Sequence, residues 1–95
     1  MVQVNYIPDT DELELIFTKI VETPEVVKLD NGIIFEFDTD NLSAIILPNF
    51  GQMTRITGLE NLSIEFESFT PELLKIKIND QIVNIKIDLT EFENQ

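Results

Sequence analysis

The sequence predicts a mainly β protein, a single antiparallel domain built as a β-meander of about seven to eight strands. Three observations predict it. Apolar and polar residues alternate with a period of two along most of the chain, the pattern of strands with one buried face. Asn, Asp, Gly and Pro punctuate that alternation at the places where hairpins would turn. And 95 residues, 43% of them hydrophobic, are enough for one core and too few for two.

Strands are expected at about residues 2–7, 12–18, 25–30, 33–38, 42–47, 61–68, 73–79 and 82–89. Residues 1–47 form the first meander and residues 61–95 add further strands. Asp30-Asn31-Gly32 reads as a three-residue loop, with Gly32 in the left-handed conformation that closes a bulge. That loop places Val27, Leu29, Ile33, Phe35 and Phe37 on one face, whereas a two-residue Asn31-Gly32 turn would set Lys28 against Phe35. A four-residue loop Asp38-Thr39-Asp40-Asn41 would then pair Phe37 with Leu42, Phe35 with Ala44 and Ile33 with Ile46. Near the C-terminus, Ile78 is expected opposite Val83, Ile76 opposite Ile85 and Leu74 opposite Ile87. Lys75, Lys77, Asn84, Lys86 and Asp88 then share the wet face.

The alternation fails over residues 48–60. This segment reads either as an irregular loop or as a short helix near residues 50–58, begun after Asn49 and stopped by Gly58. Thr54, Ile56 and Thr57 are weak helix formers, which keeps the loop reading open. The tail Glu91-Phe92-Glu93-Asn94-Gln95 is expected to fray unless Phe92 docks on the core.

Eighteen acidic residues against six basic ones give a net charge of −12. Such a field repels phosphate backbones and anionic membranes, so direct nucleic-acid or membrane binding is not expected. It suits a partner with a basic surface, or it serves solubility alone. The chain has neither cysteine nor histidine. That removes disulfides, thiolate chemistry and cysteine-based metal sites, together with the commonest general base. No apolar run reaches membrane-spanning length and Met-Val-Gln-Val-Asn is unlike a secretory signal, so a cytoplasmic location is expected.

The first half carries a family likeness. Tyr6-Ile7-Pro8-Asp9-Thr10-Asp11-Glu12-Leu13-Glu14-Leu15, followed by Gly32-Ile33-Ile34-Phe35-Glu36-Phe37-Asp38-Thr39-Asp40-Asn41-Leu42, resembles the family known as domain of unknown function 2283. Its closing motif would fall on Ala44-Ile45-Ile46-Leu47-Pro48. The departures are Ile7 and Ile46, where the family carries acids, and Ala44, where it carries Gly. The resemblance implies a small prokaryotic β-rich domain, with an antitoxin-like role among the roles it leaves open, and supplies no mechanism.

Two sets of candidate residues stand out. The clusters Asp9-Asp11-Glu12-Glu14 and Asp38-Asp40-Asn41 invite a calcium or magnesium site, and with Glu36 their acids form an acidic surface. The simpler reading is turn chemistry and solvated strand faces. If Leu13, Leu15, Phe17, Phe35 and Phe37 face the core, then Ile16, Val26, Ile34, Ile45 and Leu47 point outward, with Ile34 directly across from Ile45. That aliphatic patch reads as an interface for a partner protein or a second copy, or as a surface covered by residues 48–60 or by the later strands. No catalytic pair, metal site or cofactor is indicated. The expected function is a non-catalytic protein–protein interaction. The alternative is an acidic inhibitor, antitoxin-like, that occupies a basic nucleic-acid-binding surface of its partner.

Overall fold

Among the described residues, period-two patterning produces eight strands: β1 (Gln3–Ile7), β2 (Glu12–Ile16), β3 (Glu25–Lys28), β4 (Ile34–Asp38), β5 (Asn41–Leu47), β6 (Ile64–Thr70), β7 (Leu73–Ile78) and β8 (Gln81–Lys86). A one-and-a-half-turn helix, α1 (Phe50–Thr54), and a 3-10 turn at Leu59–Asn61 separate β5 from β6. This computed structural model describes residues 2–19, 22–70, 72–88 and 90. The tail at 91–95, and with it the docking of Phe92, lies outside the described residues.

The strands make two antiparallel sheets, one of five strands in the order β1-β2-β5-β4-β3 and one of three in the order β6-β7-β8. The first is a meander with one detour. β3, β4 and β5 are neighbours in sequence and space, but β2 lies beside β5, the arrangement of a Greek key. The two sheets share one core, in which Leu13, Leu15, Phe35, Ile45 and Leu47 of the first pack with Leu74, Ile76 and Ile85 of the second. Aromatic pairs bridge the layers: Phe17 meets Phe66 edge-on with centroids 5.3 Å apart, and Phe35 lies 6.1 Å from Phe69. The Cα radius of gyration is 13.0 Å, the size of one folded domain of about 100 residues.

The Asp30-Asn31-Gly32 loop forms as expected. Leu29 donates its N–H to the Ile33 carbonyl at 2.9 Å, Val27 pairs with Phe35, and Gly32 adopts φ 93°. Leu29, Ile33 and Phe35 are buried, with Val27 and Phe37 packed against them.

The next hairpin departs from expectation after its first pair. Phe37 pairs with Leu42 and Asp38 with Asn41, but then Glu36 pairs with Ala44, Phe35 with Ile45 and Ile34 with Ile46. Ser43 is therefore an extra residue on β5, a β-bulge. Its hydroxyl donates to the Glu36 carbonyl at 3.0 Å and its own carbonyl accepts from Phe17 N–H at 2.8 Å. The bulge inverts the faces of β5 beyond it. Ile45 and Leu47, expected to point outward, are 0% exposed in the core. Ile34 stands across from Ile46, not Ile45.

The β7–β8 hairpin closes two residues earlier than expected. Ile78 pairs with Gln81, Ile76 with Val83 and Leu74 with Ile85, leaving Asn79-Asp80 as the loop. A shift of two preserves the faces, so Leu74, Ile76, Ile78 and Ile85 are buried all the same. Asn79 takes φ 51°, which asparagine tolerates, and its side chain accepts from Ser63 N–H at 3.0 Å.

The helix after Asn49 exists but stops at Arg55, which turns left-handed at φ 59°. Gly58 instead opens the 3-10 turn. Five residues are far below the length at which a helix holds itself together in water. Packing supplies what propensity does not: Phe50 is completely buried between the sheets' residues in the core cluster.

Candidate functional site

The acidic cluster of the β1–β2 turn is dispersed by the fold, and one member has a structural task. Asp11 sits at φ 56° in that turn. Its carbonyl accepts from Phe50 N–H at 2.8 Å and its Oδ1 accepts from Gly51 N–H at 2.8 Å, so it caps α1 from forty residues away. The Tyr6 hydroxyl donates to the same oxygen at 2.6 Å. A methyl group on Gly51 would lie 2.9 Å from that oxygen, so the capping needs glycine there. Burial alone would push the Asp11 carboxyl up. The hydrogen bonds from Tyr6, Gly51 and Gln52 outweigh it and hold the group below the usual carboxylate range. The hydrogen bond to Asp11, then burial and the negative charges of Asp11 and Glu60, push the Tyr6 hydroxyl up to about 12. Tyr6 and Asp11 thus lock the first hairpin to the helix.

The other acids fall in two places. Asp9 and Asp40 are exposed in turns. Glu12 and Glu14 of β2 and Glu36 and Asp38 of β4 lie on the outer face of the five-stranded sheet, opposite to the core-facing Leu13, Leu15, Phe35 and Phe37. Among the described residues no group of three or more acidic side chains is disposed to hold a metal ion.

That same outer face carries the apolar residues. Pairing across it aligns Ile16 with Ala44 and Ala44 with Glu36, then Glu36 with Val26; the adjacent row runs Glu14, Ile46, Ile34, Lys28. The candidate interface therefore keeps Ile16, Val26 and Ile34, loses Ile45 and Leu47 to the core, and gains Ala44 and Ile46. Val26 is 54% exposed, Ile34 and Ile46 are half-buried, and Ile16 and Ala44 are 8% exposed among their neighbours. Acidic and aliphatic candidates that are scattered in sequence thus converge: β5 supplies an apolar centre and the strands on either side supply carboxylates. The later strands cover the opposite face of this sheet, the one that carries Leu13 and Leu15.

The outer face of the second sheet has a different character. Lys75 and Lys77 of β7 stand there beside Asn84 and Ile82 of β8, with Lys86 on the same face. Three of the six basic residues of the chain are gathered on it.

Sequence reasoning missed Ala44, Ile46 and the capping role of Asp11. The bulge could not be read from Ser43-Ala44-Ile45-Ile46-Leu47, because either register buries aliphatic residues. The Asp11 cap involves a partner forty positions away, and no local pattern announces it. No helix among the described residues is long and apolar enough to cross a membrane. No protein-family model, curated protein or solved structure matches the chain.

Proposed function

We propose that the protein is a non-catalytic binding module of the cytoplasm, and that the outer face of the five-stranded sheet is its partner-binding surface. The observation that carries this reading is the convergence of Val26, Ile34 and Ile46 with Glu12, Glu14, Glu36 and Asp38 on one sheet face. An apolar centre excludes water and contributes most of the affinity, while a charged rim selects the partner and speeds its approach. With carboxylates at the rim and −12 overall, the face suits a partner with basic residues around an apolar contact better than a second copy of this acidic chain.

Val26→Ser with Ile34→Ser tests the reading. Serine removes the apolar surface without adding charge, so the salt response stays interpretable. The double variant should keep its circular dichroism spectrum and lose partner affinity by about tenfold or more. A partner held with unchanged affinity by the double variant would refute the face. Binding by charge alone, as an acidic inhibitor of a nucleic-acid-binding protein would show, is recognised by steep weakening with salt.

A further inference from the structure

The bulge at Ser43 and the small side chain of Ala44 leave a depression in the outer face, a cavity of about 170 Å³. Ile16, Ser43, Ala44 and Ile46 line it, together with Glu14, Glu36 and Lys19. The two glutamates stand diagonally on either side of β5: Glu14 is paired with Ile46, and Glu36 with Ala44. The cavity is smaller than the roughly 300–1,000 Å³ of small-molecule sites, so it has room for one side chain rather than a metabolite.

We infer that this depression receives an arginine side chain from a basic segment of the partner protein, an inference that rests on the face being the binding surface. The aliphatic lining suits the methylene stem of arginine, which buries well while its charged head stays at a wet edge. Glutamates on the two strands that flank β5 suit a planar guanidinium, whose five N–H donors spread in a fixed fork, better than the single ammonium of lysine. Lys19 lines the same cavity from within the chain, and its positive charge opposes the entry of a second cation. Ala44 is the position that keeps the depression open, since any longer side chain in the row between Ile16 and Glu36 would fill it.

The probe is N-acetyl-arginine methylamide, titrated into the ¹⁵N-labelled full chain and followed by amide chemical shifts, with the citrulline analogue as its neutral isostere. Arginine should produce saturable shifts centred on Ser43, Ala44 and Ile46, and citrulline should bind more weakly. Glu36→Gln should weaken arginine binding by about two- to fivefold, the range of an exposed ion pair, and Lys19→Ala should strengthen it. Ala44→Leu should abolish it; should that variant fail to fold, Glu36→Gln and Lys19→Ala still decide. Shifts scattered over the surface, equal binding of citrulline, or indifference to Glu36→Gln would overturn the inference. Val26 and Ile34 lie outside the cavity, which separates the two claims. A partner lost by Val26→Ser/Ile34→Ser but held unchanged by Glu36→Gln leaves the face standing and removes the arginine.

Discussion

At the scale of single residues, the structure turns on a few side chains whose tasks are not evident from their type. Asp11 looks like one more surface acid, yet it ties Tyr6 and the amides of α1 together. Tyr6→Phe should therefore cost about 1–2 kcal/mol, since it removes a hydrogen bond to a charged acceptor at a partly buried site. Both groups give the stability a pH signature. The lowered Asp11 pKa contributes stability that is complete above its ordinary value of 3.8 and is lost as pH falls through the lowered one. The raised Tyr6 pKa contributes stability that is complete below 10 and is lost as pH climbs toward about 12. Urea melts across pH 9–12 should show an alkaline decline that is shallower in Tyr6→Phe than in the parent. A third residue acts through backbone strain: Thr39 holds φ 60° in the β4–β5 turn, a conformation a β-branched residue resists. Thr39→Gly should raise stability by roughly 0.5–1 kcal/mol by relieving it, which a shift in urea midpoint would register.

At the scale of elements, the strands were legible because alternation is a strong signal wherever one face is buried and the other wet. The β3–β4 hairpin shows the signal at its best, since only a three-residue loop keeps Val27 and Phe35 on the same face. The β4–β5 hairpin shows where it runs out. Residues 44–47 are apolar throughout, so the sequence offers no parity and the extra residue at Ser43 is silent. For β7–β8 the parity was legible and the loop length was not; the clue was Asn79, which adopts the left-handed conformation that a two-residue turn needs. Alanine substitutions check the bulge directly. Ile45→Ala removes a core side chain and should cost about 2–4 kcal/mol, whereas Ile46→Ala, half-buried on the outer face, should cost about 1 kcal/mol. Equal costs would contradict the register described. The helix obeys the same logic as the bulge. Its five residues fold because Phe50 is buried and Asp11 caps it, and Phe50→Ala should cost about 3–5 kcal/mol in a denaturant melt.

At the scale of the molecule, two sheets bury their facing surfaces and are left with two unlike outer faces. One gathers Lys75, Lys77 and Lys86; the other sets Val26, Ile34 and Ile46 among four carboxylates. The candidate site was half legible. Ile16, Val26, Ile34 and the flanking acids belong to strands whose parity the sequence reveals, while Ala44 and Ile46 depend on the bulge and could not be read. We propose that the apolar and acidic face, not charge alone, holds the partner. The most direct test is affinity capture from lysate of the source organism by three tagged chains: the parent, Val26→Ser/Ile34→Ser, and Lys75→Ser/Lys77→Ser as a control on the opposite face. Captured proteins are identified by mass spectrometry after low-salt and high-salt washes. The expected result is a protein with a basic surface that the parent and the lysine-face control retain at high salt and the double serine variant loses. Capture that salt reverses equally in all three chains would contradict it, and would assign the binding to the net charge of the chain.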